Sequence, residues 1–447
     1  MSGQNTKIII FNCLCLFLCG CANFPPAKTT LSAFAKQQPN IILITISSLR
    51  ADHTSSLGYK RETTPAFDDF AKSNFLFTNA FSASSWQMPA TASIFTSLYP
   101  SEHQVTHINN RLSEQVTTIA EILKANNYFT AAFCCNPRLT SENGFSQGFD
   151  IFDDYSVNMV LSAMNFENQQ AIDINQQRTN DLINDAAIRW LKINTGKPFF
   201  LFVHFYDNHW DYLPPPPYDS LYDKDYHGTI DGRGIAKEPL YSNMPSDRDI
   251  EHIIALYDGQ IRQTDQDISE FLNFIKEQGR FDDSMIILTA DHGEQFYEHG
   301  NTSHHGIYDE LIHIPLAVSI PDYDQTGVVD SMVSSVDIMP TILDFAGIEI
   351  PPESQGKSII PLIKAEKKTT QDYIIAEYSG GAVADCRAVR FNDLKFIARD
   401  GQIFAFDLSN DPHEQREIRL DDFDQSTASQ FDSIKDLLID ALPESNK

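Results

Sequence analysis

Asp291 and His292 follow directly on the apolar run Met285-Ile286-Ile287-Leu288-Thr289, and Glu294, His299, His304 and His305 come soon after. Carboxylate and imidazole side chains together suit a divalent cation or paired acid–base work. His204, Asp207 and His209 follow a second apolar run, Pro198-Phe199-Phe200-Leu201-Phe202-Val203, and Ser47 and Ser48 follow a third, Ile41 to Ile46. Any one of these His residues is by itself an ordinary loop residue. Four of them between 292 and 305, beside a strand-terminal Asp, point to a metal or anion site. A different feature is Trp86-Gln87-Met88-Pro89-Ala90-Thr91. Pro89 marks a helix start. Gln87 and Met88 then lie at a helix N-terminus, where free amides and the dipole attract a sulfate or phosphate.

The elements that must position these groups are legible. The three runs are continuous and apolar, as strands buried on both faces of a parallel sheet are. Amphipathic stretches at Thr118–Asn126, Asn180–Ile193 and Asp258–Gln278 separate them. The alternation predicts a doubly wound α/β sheet, whose sites form beyond the carboxyl ends of its strands. From about residue 370 the texture changes. Asp372–Tyr378, Arg387–Phe391, Leu394–Arg399 and Gln402–Leu408 read as short strands, with turns at Asn392-Asp393 and Asp400-Gly401 and a helix near Phe431–Leu442. A small antiparallel sheet is expected there. Pro214–Pro217 is a rigid loop.

Composition narrows the function. The chain has 447 residues, 42% apolar and 21% charged, so a large core is within reach. Asp plus Glu number 61 against 33 Lys plus Arg, for a net charge of −28 with no basic run. Nucleic acid is therefore excluded as a partner, and any anion site must supply its own local positive charge. Near the N-terminus, Lys7 precedes the apolar stretch Ile8–Leu18 and then Leu18-Cys19-Gly20-Cys21. That stretch is too short to span a bilayer and fits a signal-peptide core. Leu18 and Gly20 before Cys21 resemble a bacterial lipobox. Residues 1–20 are expected to be a signal peptide, and residues 21–38 a lipidated Cys21 and a tether; the plain alternative is an ordinary secretory signal. Cys134, Cys135 and Cys386 then remain, which is no disulfide framework.

The segments Pro39–His53, Ser85–His103, Pro198–Tyr212, Leu256–Asp267, Thr289–His299, His305–Pro315, Val336–Gly347 and Asp407–Glu414 resemble, in order, the sulfatase family of the alkaline phosphatase superfamily. The resemblance implies an alkaline-phosphatase-like sandwich, with a large mostly parallel sheet flanked by helices over residues 39–365 and a small C-terminal antiparallel sheet over residues 366–447. It implies metal-assisted hydrolysis of sulfate esters, with Ca2+ as the divalent metal and a sulfated glycan or other anionic ester as ligand. Carried over position by position, Asp291 and His292 fall on metal ligands. Either His204 or His209 falls near the leaving-group or substrate-contacting His, and His305 near a second sulfate contact.

This sequence departs from the family pattern at three places. The first metal carboxylate position is Ser47. The nucleophile position is Gln87, whose amide has no usable anion for attack. The motif's Arg position is Thr91. Two readings follow: a membrane-anchored pseudoenzyme of the bacterial cell envelope that acts by binding, or an active sulfuric or phosphoric ester hydrolase using a metal-bound water or an unrecognised nucleophile. A phosphoglycerol transferase would need Thr at position 87 and several membrane helices.

Replacement of Cys21 by Ser is expected to move the protein from the membrane to the soluble fraction or to leave it unprocessed, because several acyl chains are what hold a lipoprotein stably. Fractionation with mass spectrometry checks this, and a variant that behaves like the parent in both would refute the lipid anchor.

Overall fold

A computed structural model describes residues 38–106, 111–154, 178–194, 196–235, 244–323, 325–379 and 384–439. The expected signal peptide, Cys21 and all but the last residue of the tether lie outside them. The strands are β1 (Asn40–Ile46), β2 (Phe75–Phe81), β3 (Phe129–Cys134), β4 (Ile151–Asp153), β5 (Phe199–Phe205) and β6 (Ser284–Ala290). A short ribbon of β7 (Gln295–Phe296) and β8 (Thr302–Ser303) comes next, then β9 (His313–Ser319), β10 (Gly327–Val329) and β11 (Val333–Ser334). The large sheet runs β10-β2-β9-β6-β1-β5-β3-β4, with β11 also pairing with β2. Every pairing in it is parallel except those of β9 with β2 and β6, so the sheet is mostly parallel, as the apolar runs imply.

The centre of the sheet sets the site. β1 lies between β5 and β6, parallel to both, with Ile46 level with Phe205 on one side and Ala290 on the other. β1, β5 and β6 are buried along nearly their whole length, which explains why their sequences carry no polar alternation. Ser47, Tyr206 and Asp291 therefore leave the sheet at one level.

The helices correct some expected limits. The long helix runs Asp247–Glu277 and starts well before Asp258, because a capping box at Ser246 and Asp249 opens it. The expected Thr118–Asn126 helix spans Ile119–Ala125, capped by Thr118 and Glu121. The helix beside Pro89 runs Gln87–Thr96 and is buried at every position. It begins two residues before the proline, so Gln87 is its first residue and Trp86 its N-cap.

The C-terminal strands β12 (Tyr373–Tyr378), β13 (Cys386–Phe391), β14 (Leu394–Arg399), β15 (Gln402–Asp407) and β16 (Ile418–Arg419) form an antiparallel sheet in chain order. Its helix, Gln425–Ile439, sets Phe431, Ile434 and Leu438 against Ile375, Val389 and Phe396. The opposite face packs Ile374, Ala376, Phe404 and Phe406 on Phe81, Ile307, Leu311 and Ile312 of the main body. From Gln38 onward the chain is one compact unit. A buried cation helps to lock this junction. Lys395 is 0% exposed, and its Nζ lies 3.0 Å from Asp309 Oδ1 and 2.8 Å from Glu414 Oε1. Arg390 pairs with the other oxygen of Asp309.

Lys395→Ala leaves the buried Glu414 without a cation and Asp309 with Arg390 alone, and should cost about 3–5 kcal/mol. Lys395→Met with Glu414→Gln, which removes one of those charges, should recover part of the loss. Urea unfolding curves of the two variants measure the difference.

Candidate active site

Asp291 is the hinge of the site. Its Oδ1 accepts from the backbone N–H of Ser48 at 3.0 Å and of His292 at 2.8 Å, which ties the ends of β1 and β6 together. Its Oδ2 is buried and has no partner. Facing that oxygen are His292 Nε2 at 3.8 Å and His204 Nε2 at 4.0 Å. The hydrogen bonds on the far side of each ring settle their tautomers. His292 Nδ1 lies 2.7 Å from the carbonyl of Gly293, which only accepts, so Nδ1 carries the proton and Nε2 a bare lone pair. His204 Nε2 accepts from Asn136 Nδ2 at 3.4 Å, which leaves Nδ1 to donate to Thr45 Oγ1 at 2.7 Å. Asp291 Oδ2 and His292 Nε2 thus face each other without partners, while Asn136 serves His204 Nε2. Burial drives the His204 ring toward neutrality, its pKa falling to about 4 despite the pull of Asp291.

Above this group, His304 links the sheet edge to the buried helix. Its ring is 4.8 Å from His292, 5.5 Å from His209 and 4.7 Å from the Trp86 indole. Ser85 Oγ donates to its carbonyl at 3.2 Å. Trp86 also lies against His305, at 5.6 Å, and His305 Nδ1 is 3.2 Å from Tyr378 Oη on the C-terminal sheet. His209 Nδ1 donates to the Trp210 carbonyl at 3.0 Å, so its Nε2 is also a lone pair, and burial lowers its pKa to about 3. Burial likewise depresses His304 and His305 and raises Glu294, whose Oε1 is 3.8 Å from His304 Nδ1. Burial thus holds His204, His209, His304 and His305 toward neutrality beside Asp291 and Glu294. Ser47 Oγ, Ser48 Oγ and Trp86 Nε1 are buried donors without partners.

The structure thus gathers His204, His209, His292, His304 and His305 around Asp291 and the start of the Gln87–Thr96 helix. It takes His299 elsewhere: that ring stacks on Tyr308 at 3.6 Å and lies 3.4 Å from Glu310 Oε1. His204, at 0% exposure between Thr45 and Asn136, is a floor under Asp291. Trp86, Thr45 and Asn136 escaped sequence reading. Only Trp86 had a signal, as the residue before a helix start.

A divalent cation is the group that this constellation calls to mind. The unpartnered Asp291 Oδ2 and His292 Nε2 are suitable donors, but calcium takes about six to eight oxygens. Asp291 brings one free carboxylate oxygen, Ser47 brings a neutral hydroxyl, and among the described residues no three His, Cys, Asp or Glu side chains are placed to hold a metal ion. The residues present do not fit a calcium cage.

Comparison with known proteins gives a consistent picture. The family model described as sulfatase matches residues 39–348, and one described as N-sulphoglucosamine sulphohydrolase, C-terminal, matches residues 297–439. The chain is 27% identical over 433 residues to an arylsulfatase of Clostridium perfringens, covering 84% of this chain and 89% of that protein. It is 22% identical to an N-acetylglucosamine-6-O-sulfatase of Bacteroides thetaiotaomicron, covering 93% and 87%. Among solved structures, the phosphonate monoester hydrolase of Agrobacterium radiobacter superposes with a TM-score of 0.75 at 21% identity, covering 89% of this chain and 94% of that one. A protein in complex with its substrate D-glucosamine-2-N,6-O-disulfate superposes with a TM-score of 0.70 at 21% identity, covering 92% and 97%.

Asp291→Asn separates an empty carboxylate from a cation ligand. The amide keeps an oxygen for the two backbone N–H groups and turns a donor toward His292 Nε2. Stability should rise by about 1 kcal/mol, read as a higher thermal midpoint. A drop in the midpoint accompanied by loss of bound metal would show a working cation site.

Proposed function

The chain belongs to the sulfatase family, and on that premise we propose that it is a member that holds an anionic ester, a sulfated glycan first of all, without turning it over by the family's covalent route. The observation that carries this reading is Gln87. It is the first residue of a buried helix, at the position where the resemblance puts the nucleophile, and it is 4% exposed. Its amide can donate to and accept from a ligand, but it cannot attack one. Thr91, one turn on and fully buried, brings no positive charge.

What remains is binding chemistry. The N-terminal amides of the helix, the Ser47 and Ser48 hydroxyls and the Trp86 indole N–H offer donors to the oxygens of a sulfate. The Arg50 guanidinium is committed: it donates to the Glu294 carbonyl at 3.1 Å, to Glu298 Oε1 at 2.5 Å and to both oxygens of Asp52 at 2.8 Å. The neutral imidazoles His209, His304 and His305 can orient an ester. A neutral imidazole with a depressed pKa is a poor proton donor to a leaving oxygen. In the family the divalent ion polarises the ester; here the oxygen donors for it are short, so no step is assigned to it. Location at the cell envelope through a lipidated Cys21 is part of the same proposal and rests on the leader sequence alone. Among the described residues no helix is long and apolar enough to cross a membrane.

Purified protein is expected to show no turnover of aryl sulfates or aryl phosphates above buffer, and substoichiometric calcium by elemental analysis. Residues that act as a unit are strongly non-additive. Ser47→Asp alone, or Gln87→Cys with Thr91→Arg alone, should leave the rate at background. Only the triple variant, matured by a formylglycine-generating system, should hydrolyse the ester. Turnover by the unmodified protein that Asp291→Ala abolishes and Gln87→Ala does not would sink the proposal.

A further inference from the structure

Next to the imidazole cluster lies a cleft of about 540 Å³, a size that suits a small ligand. His209 is the shared wall: it lines the cleft, stacks on Tyr206 at 4.9 Å and touches His304 of the cluster. The charges in the cleft are unequal. Its two cations are Arg178 and Arg233, and its four carboxylates are Asp207, Asp211, Asp219 and Asp231. Both cations are already taken. Arg178 lies 3.8 Å from Asp207 and 3.2 Å from Asp181, and it also pairs with Asp267; Arg233 lies 2.8 Å from Asp231. Asp211 accepts only a backbone N–H, from Ile235 at 3.2 Å, and among the described residues neither Asp211 nor Asp219 has a cationic partner. An independent sign of a missing donor comes from Gln260. It is 6% exposed and lines the cleft, its Nε2 donates to the Asp207 carbonyl, and its Oε1 is buried with nothing to accept from.

From this we infer that the cleft is the subsite for the non-ester part of the ligand and selects a cationic one, an amine-bearing sugar ring in place of a uronate or a multiply sulfated ring. The inference rests on the ester site proposed above and names the class of molecule that site serves. An ammonium group would pair with Asp211 and Asp219. Ring hydroxyls or the ammonium would donate to Gln260 Oε1, and Tyr206 and His209 offer flat faces to the sugar. A second anionic substituent would meet two uncompensated carboxylates inside a chain whose net charge is −28. It would be turned away by the same field. A zwitterionic amino-sugar sulfate carries no net charge into that field, which answers the shortage of free cations around the helix N-terminus.

The test is calorimetric titration of the full chain at low ionic strength with glucosamine 6-sulfate, N-acetylglucosamine 6-sulfate, unsulfated glucosamine and a sulfated uronate disaccharide. Glucosamine 6-sulfate should bind about tenfold more tightly than its acetylated form, with the difference shrinking as salt is added. The uronate should bind most weakly. Asp211→Asn with Asp219→Asn, checked for an unchanged thermal midpoint, should bring the amine and the acetylated sugar within about twofold of each other. Equal affinities in the parent, tighter binding of the uronate, or a preference that survives the double change would each overturn the inference while leaving the ester site standing. Glucosamine binding as tightly as its sulfate would keep the cleft and remove the ester site. No binding by any of the four would remove both.

Discussion

The molecule depends on three parallel strands ending together. β5, β1 and β6 are paired in register at the middle of the sheet, and the ends of β1 and β6 are stitched by Asp291 Oδ1, which accepts from the N–H of Ser48 and of His292. A one-residue slip of either strand would turn its side chains to the other face and break that stitch. The register is held by apolar side chains buried on both faces of the sheet. The site thus inherits its accuracy from the packing beneath it, and the loops above need only carry the side chains.

That accuracy leaves an unresolved polarity at the centre. One carboxylate oxygen, Asp291 Oδ2, and one imidazole nitrogen, His292 Nε2, face each other without partners. Buried polar atoms left in this way are costly, so a donor is required in their midst. Water can meet that need, and so can a cation held by fewer ligands than calcium takes. Ser47 bears on that choice, because its hydroxyl brings one neutral oxygen and no charge. The same argument applies to the helix N-terminus. Its dipole and amides remain whatever residue is first, and under the proposed function Gln87 leaves them as a place to rest an anion without a group to attack it.

The small C-terminal sheet contributes to the site as well as to the fold. Tyr378 reaches His305, and the buried Lys395–Asp309–Glu414 group anchors that sheet to the segment between β8 and β9, close after the cluster's own loop. Burying a cation between two carboxylates is a demanding arrangement, and it fixes orientation more than it adds stability. A site that relies on ring-to-ring contacts, at spacings of about 4.7–5.6 Å, needs such a fixed orientation.

Much of this was legible in the sequence. The continuous apolar runs before Ser47, His204 and Asp291 specify buried parallel strands, since no other element is apolar on both faces over so short a length. Their common direction places those residues at one edge, and the order of motifs carries the family. The small sheet is legible from its turns. Tertiary structure alone decided the rest. His299 and His304 stand in the same loop with the same local texture, yet the β7–β8 ribbon sends one to Tyr308 and the other to the cluster. Which nitrogen of His204 donates and which accepts depends on distant partners, Thr45 and Asn136. The charge of the cleft beside His209 depends on Arg178, Asp219 and Asp231, which are far apart in the chain and meet only in the fold. Local sequence sets what an element is, because propensity and burial pattern are local quantities. Partnership of polar groups is set by distance in space, and that exists only once the chain has closed.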